Sequence, residues 1–202
     1  MKSQDIRAGL LNYLQLIVLD DSINEGAINS KEAFKLLELQ KNDFLVKEGQ
    51  ICNYFCFVES GILQHSIIVD GLEKTTYLAL RETVTSSLES FLNEKPSRKS
   101  IKALFNCKLW VIDLEAFLYL KETNEAFRKF YYNLIEKQIC RIDDYRIDLL
   151  TLTPEERYKK LLYKEPNLIQ QVPLHHLASF LGISSRHMSR IRKNINKCHL
   201  AG

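Results

Sequence analysis

The C-terminal part of the chain contains the run Val172-Pro-Leu-His-His-Leu-Ala-Ser-Phe-Leu-Gly-Ile-Ser-Ser-Arg-His-Met-Ser-Arg-Ile-Arg-Lys193. Its first half predicts a short helix over residues 173–181, because apolar residues recur there at helical spacing. Gly182 permits a tight turn, and Ser184 is a good N-cap for a second helix that runs to about Ile195. A short helix, a glycine turn and a second helix together predict a helix-turn-helix.

The charge of the chain is concentrated in the same region. No Asp or Glu follows Glu165, so residues 166–202, which contain five Lys and Arg, have a charge of +5. The other 23 of the 28 Lys and Arg residues stand against 25 Asp and Glu, which gives −2 for residues 1–165. A cationic helix pair at one end of a chain is typical of a unit that binds nucleic acid.

The outward face of the second helix carries the side chains that a DNA-reading helix needs. We predict that Ser185, Arg186 and Arg190 contact base edges, because arginine pairs bidentately with guanine in the major groove. Phosphate contacts fix the position of such a helix without reading sequence. We assign them to Ser184, Arg192, Lys193, Lys197 and His175. The alternative is a solvated basic face on a structural helix pair.

The middle of the chain predicts β-structure. Short apolar runs rich in β-branched and aromatic residues are separated by turn signals at Gly49, Gly61 and Asp70-Gly71. The runs are residues 44–46, 54–58, 62–69, 75–80, 101–104 and 109–112. They indicate an antiparallel sandwich or barrel, with a type I′ hairpin turn at Asp70-Gly71.

Helices are predicted on both sides of this region and once within it. The apolar clusters at residues 10–14 and 33–37 predict two helices around a loop at about 20–30. The pattern Ser86-Ser-Leu-Glu89 resembles a capping box and predicts a short helix that ends before Pro96. Residues 114–150 lack Pro and Gly and predict a long helix, preceded by a shorter one at about 114–121. Thr153-Pro-Glu-Glu156 begins another helix after a hinge.

The long helix carries apolar residues on more than one face. They are Phe127, Phe130, Tyr131, Leu134, Ile135, Ile139, Ile142 and Leu149. One face can pack on its own domain, but the other needs a partner, and a second copy of the chain is the simplest one. We therefore predict a homodimer.

Other classes of function find little support. Residues 10–19 are too short and too polar for a membrane span or a signal peptide, so we expect a cytoplasmic protein. Five scattered cysteines match neither a disulfide framework nor a paired zinc site, and we expect no metal. Cys52 and Cys56 are the only close pair, for which core packing is the alternative to a redox role. No catalytic motif is present, so we expect no enzyme activity.

The order of these parts resembles the family of the cyclic-AMP receptor protein and the fumarate-nitrate regulator (Crp/Fnr). Four segments carry the resemblance: Phe44-Leu-Val-Lys-Glu-Gly49, Phe57-Val-Glu-Ser-Gly61, Leu181-Gly-Ile-Ser184 and Ser189-Arg-Ile191. Two more resemble a branch of the family common in Bacteroidetes: Phe91-Leu-Asn-Glu-Lys-Pro-Ser97 and Pro154-Glu-Glu-Arg-Tyr158.

The resemblance implies an α+β fold. Its parts would be an antiparallel β-roll of the cyclic-nucleotide-binding jelly-roll type with flanking helices, a long dimerisation helix and a C-terminal helix-turn-helix. As a departure from the family, we expect this helix-turn-helix to lack the usual full wing. The implied domains are a sensor (1–113), a connecting and dimerisation helix (114–150) and a DNA-binding domain (151–202). The implied function is a homodimeric transcription regulator that binds double-stranded DNA, with RNA polymerase as a further partner.

The resemblance also implies an effector pocket in the roll. We assign it to Thr85, Ser86, Ser87, Ser97 and Arg98. In cyclic-AMP-binding members, a Gly-Glu pair holds the ribose and an Arg neutralises the cyclic phosphate. Here Ser86-Ser87 and Ser97 stand at those positions, and Arg98 lies one residue later.

These departures change the expected effector. They remove interactions individually worth about 1.5–3 kcal/mol, so we expect a small anion other than cyclic AMP, with an empty structural roll as the alternative. The N-terminal cysteine cluster of the iron–sulfur members is also missing, because no cysteine precedes Cys52.

The sequence is also compatible with a function of another class. In it, the protein is a ligand-binding module that acts through a protein partner without binding DNA, and the cationic tail docks on an acidic surface. Enrichment of one sequence from a random pool of duplexes would separate the two hypotheses.

Overall fold

The computed structural model describes Leu10, Asn12, Tyr13, Gln15 and residues 33–199, except for the side chains of residues 167 and 196–199. Leu10, Asn12, Tyr13 and Gln15 are helical, as expected for the first predicted helix. The rest of that helix and the loop at 20–30 lie outside the described residues.

The central part of the chain forms two four-stranded antiparallel sheets, as the turn signals predicted. The strands are β1 (Lys35–Leu39), β2 (Phe44–Val46), β3 (Phe55–Ser60), β4 (Leu63–Val69), β5 (Leu72–Ala79), β6 (Val84–Thr85), β7 (Ser100–Ala103) and β8 (Cys107–Ile112). The strand orders are β1-β8-β3-β6 and β2-β7-β4-β5. One hydrophobic core contains buried residues from both sheets, so the two sheets form a jelly roll.

The hairpin between β4 and β5 has the predicted turn. Asp70 and Gly71 have φ angles of 52° and 73°, and Val69 pairs with Leu72 across the turn. Positive φ at both central positions is the requirement of a type I′ turn, so this prediction is confirmed.

The helical prediction for residues 33–37 is wrong. Lys35–Leu39 is strand β1, which pairs with β8 from Lys35 opposite Val111 to Leu39 opposite Cys107. Leu39 is buried but Leu36 is exposed, so the segment uses its hydrogen bonds to β8 rather than a helical apolar face. Tertiary pairing of this kind overrides local helix propensity.

Seven helices occur among residues 33–199. They are α1 (Leu88–Asn93), α2 (Leu114–Thr123), α3 (Glu125–Thr151), α4 (Pro154–Lys164), α5 (Pro166–Gln171), α6 (Leu174–Phe180) and α7 (Ser185–His199). The long helix α3, the shorter α2 before it and the capping box of Thr153 and Glu156 at the start of α4 agree with the prediction.

The capping box predicted for α1 is wrong. Ser87, not Ser86, is the N-cap residue, and its side chain makes no capping bond. The Ser97 hydroxyl lies 2.8 Å from the Ser87 hydroxyl, while Ser86 Oγ donates to the Tyr54 carbonyl at 2.9 Å. Contacts between distant parts of the roll therefore replace the local cap.

An aromatic cluster attaches α2 and the first half of α3 to the roll. The ring of Phe117 lies 5.2–5.5 Å from the rings of Phe55, Phe91, Phe127 and Tyr131. Phe117 itself is 0% exposed. Each such aromatic pair contributes about 0.5–1.5 kcal/mol beyond its buried area, so this end of α3 is firmly fixed.

A second hydrophobic core lies under the C-terminal helices. Its centre is formed by Leu177 of α6 and by Met188 and Ile191 of α7, all of which are buried. Ile62, Leu78 and Leu104 of the β-roll also belong to it. The C-terminal helices therefore pack on the outer side of the roll.

Gly61, in the turn between β3 and β4, lies close to Asn106 and Cys107 at the start of β8, and this close contact can be tested. Its φ is +92°, and a Cβ atom would lie 2.5 Å from Cys107 Sγ and 2.7 Å from the Asn106 carbonyl oxygen. Gly61→Ala should lower the free energy of unfolding by about 3 kcal/mol in urea titration. Gly71→Ala is the control, because Gly71 has φ +73° but no atom within 4 Å of its Cβ site, and it should lose about 1 kcal/mol. Equal losses would contradict the close contact.

Candidate nucleic-acid interface and roll interior

Helices α6 and α7 are joined by residues 181–184 in a tight turn. Gly182 has a φ of +71°, a value that glycine adopts without strain. Ser184 Oγ accepts a hydrogen bond from the His187 backbone N–H at 3.2 Å, which caps α7 as predicted. Ala178 is 1% exposed, which allows the two helices to approach closely.

The residues predicted to contact bases share the outward side of α7. Ser185, Arg186 and Arg190 are all exposed, and Ser189 lies among them. The two arginines are four residues apart, so they are neighbours on one helix face. The structure thus brings the three predicted base-reading residues together on one surface.

The residues predicted to contact phosphate differ in their exposure to solvent. Ser184, Lys193 and His175 are exposed, Arg192 is half-buried, and the side chain of Lys197 lies outside the described part of the chain. Ser184 is exposed although its hydroxyl caps α7, so the hydroxyl can still meet a ligand at the start of this helix.

Helix α6 is held on the outer face of the roll by hydrogen bonds that the sequence did not reveal. Ser179 Oγ accepts the backbone N–H of Thr75 in β5 at 2.9 Å and lies 3.4 Å from the Glu73 carbonyl oxygen. Lys102 of β7 donates to the Glu73 carboxylate at 3.2 Å, as does the Ser66 hydroxyl at 3.0 Å. Ser179 therefore connects α6 to a polar network on β4, β5 and β7.

The other side of this contact is formed by α3. The rings of Tyr145 and Phe180 stack at 5.8 Å, and the Tyr145 hydroxyl donates to the Phe180 carbonyl at 3.3 Å. Arg157 of α4 donates to the Leu181 carbonyl at 3.0 Å. The turn before α7 is thus fixed from three sides, by β5, α3 and α4.

His176 is part of the same contact and differs from its neighbour. Burial, and then the nearby His175, lower the pKa of His176 to about 4, although Glu73 opposes the shift. His176 is therefore neutral near pH 7. The exposed His175 is the better candidate of the two for a phosphate contact.

The interior of the roll contains a buried histidine that was not predicted. His65 of β4 is 2% exposed, and its Nε2 atom lies 2.6 Å from Thr85 Oγ1. Its ring makes an edge contact with Tyr77 at 5.3 Å. Burial, and then the Lys99 ammonium, lower the pKa of His65 well below its usual value. Its Nδ1 atom is buried without a hydrogen-bond partner.

The predicted effector residues do not all face the interior. Thr85, Ser87 and Ser97 are buried, Ser86 is half-buried and Arg98 is exposed. The Ser97 hydroxyl lies between the Ser87 hydroxyl at 2.8 Å and the Lys99 carbonyl at 2.6 Å, so the two serines already bind each other. Thr85 is the one of the five whose side chain has a hydrogen bond to His65 in the described part of the chain.

The cysteine pair lies in the core of the roll. Cys52 and Cys56 are 1% and 0% exposed, and Cys52 Sγ lies 3.6 Å from Ser86 Oγ. Burial, and then Cys52, raise the pKa of the Cys56 thiol well above its usual value, which makes it a poor nucleophile.

Among the residues that the structure describes, no group of three or more His, Cys, Asp or Glu side chains could hold a metal ion. In the same part of the chain, no helix is both long enough and apolar enough to cross a membrane.

Comparisons with known proteins agree with this architecture. Residues 36–124 match the family described as cyclic nucleotide-binding domain. No curated protein is significantly similar to the chain in sequence.

Solved structures share the fold at low sequence identity. The c-di-GMP-responsive global regulator CLP of Xanthomonas campestris has a TM-score of 0.66 at 16% identity, over 88% of this chain and 94% of its own. A protein from Eubacterium rectale described as a Crp/Fnr-family transcriptional regulator has 0.65 at 16%, over 92% and 88%. With cAMP-bound PfPKA-R the TM-score is 0.50 at 19% identity, and this chain covers 43% of that protein with 59% of its own residues.

Ser179 provides a test of the contact between α6 and the roll. Ser179→Ala removes the acceptor of the Thr75 amide, so that amide should exchange with solvent about fivefold faster, as expected for loss of about 1 kcal/mol of local protection. Hydrogen exchange measured by NMR checks this. Ser189→Ala is the matched control, because that hydroxyl donates only within α7, to the Ser185 carbonyl. Unchanged exchange at Thr75 would contradict the contact.

Proposed function

We propose that the chain is a homodimeric transcription regulator of the Crp/Fnr type that binds specific DNA sequences under the control of an effector in its β-roll. One observation carries the proposal: Arg186 and Arg190 stand exposed on one face of α7, in a segment without acidic residues. The proposed units are a sensor (1–113), a dimerisation helix (114–150) and a DNA-binding helix-turn-helix (151–202). We propose no enzyme activity.

DNA reading follows from the geometry of α6 and α7. The second helix of a helix-turn-helix lies in the major groove with its N-terminal residues at the base edges. Ser185, Arg186 and Arg190 occupy the first two turns of α7 and are free of the second core, which Met188 and Ile191 fill. We propose that Ser184 and His175, which are both exposed, contact the phosphate backbone.

Dimerisation is supported by a stripe along α3 that continues beyond the contacts of this helix with the roll. Tyr132, Ile139, Ile142 and Leu149 are 56%, 61%, 57% and 44% exposed. With Ile135 and Arg146 they recur at intervals of three, four, three, four and three residues. This is the heptad spacing of a coiled coil, in which two copies bury each other's stripe.

Arg146 occupies one position of this stripe. Its guanidinium would lie at the seam of the coiled coil, where a polar residue lowers stability but fixes register and the number of chains. The stripe is therefore suited to a defined pair of helices rather than to non-specific association.

Binding to RNA polymerase and control by the effector belong to the same proposal. Near its start, α3 is joined to the roll through Phe117 of α2, whose ring contacts Tyr131 of α3 and Phe55 of β3. Near its end, α3 contacts α6 through Tyr145. A change in the roll can thus reach the position of α7 through α3 and through the β5–α6 contact.

Replacement of the exposed arginines tests the DNA-binding part. Arg186→Ala and Arg190→Ala should each weaken binding to a selected duplex by about 1–3 kcal/mol, because each loses a bidentate contact to a base. Gel-shift titration at fixed salt measures this. Lys41→Ala is the control, because Lys41 is exposed in the turn between β1 and β2.

Binding to random duplex should fall less than binding to the selected sequence. An equal loss on both would mean that the arginines contact only phosphate. If no sequence is enriched from a random pool, the protein instead acts through a protein partner.

Replacement in the stripe of α3 tests dimerisation. Ile142→Asp should convert the dimer to a monomer in sedimentation equilibrium, because it would bury a carboxylate at the seam. Lys137→Asp places the same side chain on the same helix but off the stripe, and it should remain dimeric. Dissociation by both variants, or by neither, would contradict the heptad interface.

A further inference from the structure

The interior face of the sheet β2-β7-β4-β5 carries two polar side chains, His65 and Lys99, that are not fully paired. Along β4, Leu63 belongs to the main core, and His65 follows it on the same face of the strand, against Tyr77. Gln64 lies on the outer face, where its side chain donates to Thr75 Oγ1 at 2.9 Å. Across from His65, Ile101 of β7 is 0% exposed. His65 is therefore a polar residue on an otherwise apolar inner surface.

Lys99 joins His65 on this surface. It precedes β7 by one residue and continues the alternation of Ile101 and Ala103, both of which are completely buried. Lys102, of the opposite parity, instead reaches the outer face and pairs with Glu73. The Lys99 side chain is half-buried, and burial lowers the pKa of its ammonium.

The Lys99 ammonium has no anionic partner among the residues that the structure describes. The ion pairs of the roll involve Lys35, Arg81, Lys102 and Lys108, not Lys99. His65 lies near enough for the Lys99 ammonium to lower its pKa, and Cys52 partly offsets the effect of burial on the pKa of Lys99. Even partial burial of a cation without a counter-charge has a cost, which a ligand that supplies the charge would reduce.

His65 has an unpaired ring nitrogen on the same surface. Its Nδ1 atom is buried and unpaired, while Nε2 is engaged by Thr85. A neutral imidazole can donate through Nδ1 when Thr85 donates to Nε2, and a hydroxyl can rotate to allow this. One ammonium and one ring N–H are thus available on the same inner surface.

We infer that Lys99 and His65, with Thr85 orienting the imidazole, bind the oxyanion group of a small anionic effector inside the roll. This rests on the proposed function and names the groups that hold the effector. Lys99 takes the role expected for Arg98, because Arg98 is exposed while Ser87 and Ser97 are occupied with each other. One ammonium and one imidazole N–H match a ligand with a single oxyanion group, a phosphate or a carboxylate.

The test uses the full chain and two probes, inorganic phosphate and acetate, at constant ionic strength. The ring resonances of the histidines are followed by NMR, because phosphate can also bind the cationic face of α7 near His175. We expect one or both anions to shift the His65 ring signals in a saturable way. Phosphate acting alone would identify a phosphate group, and acetate acting alone a carboxylate.

Three variants locate the site. Lys99→Gln should weaken the binding seen at His65 about tenfold or more, as expected for loss of a charge-assisted hydrogen bond. Arg98→Gln removes the same charge one residue away and should leave it unchanged. His65→Phe keeps a ring against Tyr77 and should fold at least as stably as the natural chain, but its binding, followed at the Tyr77 ring, should be weakened.

The inference is overturned if neither anion shifts the His65 signals, or if Lys99→Gln and Arg98→Gln weaken binding equally. Each variant is also tested on the selected duplex. An enriched DNA sequence without anion binding would overturn this inference alone. Anion binding without any enriched sequence would overturn the proposed function and leave the site in place.

Discussion

The closure of the β-roll by aromatic side chains is the contact on which the rest of the structure depends. Phe117 of α2 packs between the roll residues Phe55 and Phe91 on one side and Phe127 and Tyr131 of α3 on the other. This cluster determines where α3 begins and in which direction it leaves the roll. Because the stripe of α3 and the contact between Tyr145 and α6 lie further along the same helix, both inherit their position from this cluster.

Strand β4 joins the two candidate sites. Its inner face carries His65, and its outer face carries Gln64 and Ser66, which belong to the polar network under α6. The pairing of β4 with β5 shifts register between His65 and Ser66, as at a β-bulge. Bulges alter the local twist of a strand and often lie next to functional sites. A ligand that moves His65 therefore acts on a strand whose other face holds the helix before α7.

The parts of the fold that could be predicted are those with local signals. Glycine and Asp-Gly turns, the capping box at Thr153 and the turn at Gly182 each depend on a few neighbouring residues. Strand β1 could not be predicted, because its sequence favours a helix and only pairing with β8 makes it a strand. Likewise, Ser86 resembled a helix cap, but its hydroxyl donates to the carbonyl of Tyr54, 32 residues away.

Some residues of the candidate sites could be predicted from local sequence, and others could not. The outward arginines of α7 followed from helical spacing alone. Ser179 and Lys99 did not, because the contact of one spans 104 residues and the inward direction of the other depends on the register of β7. Arg98 was the natural choice from sequence because arginine pairs well with phosphate, but the alternation of the strand directs it outward.

Unpaired polar groups in the roll interior lower the stability of the fold, which a purely structural domain would have no reason to tolerate. An unsatisfied buried polar group costs about 1–3 kcal/mol, and whole domains are stable by only about 5–15 kcal/mol. Phenylalanine at position 65 and an apolar residue at position 99 would remove this cost without disturbing the jelly roll. Local conflicts of this kind are expected where a site requires them. The unpaired imidazole of His65 and the half-buried ammonium of Lys99 therefore favour a roll that binds an anion over an empty one.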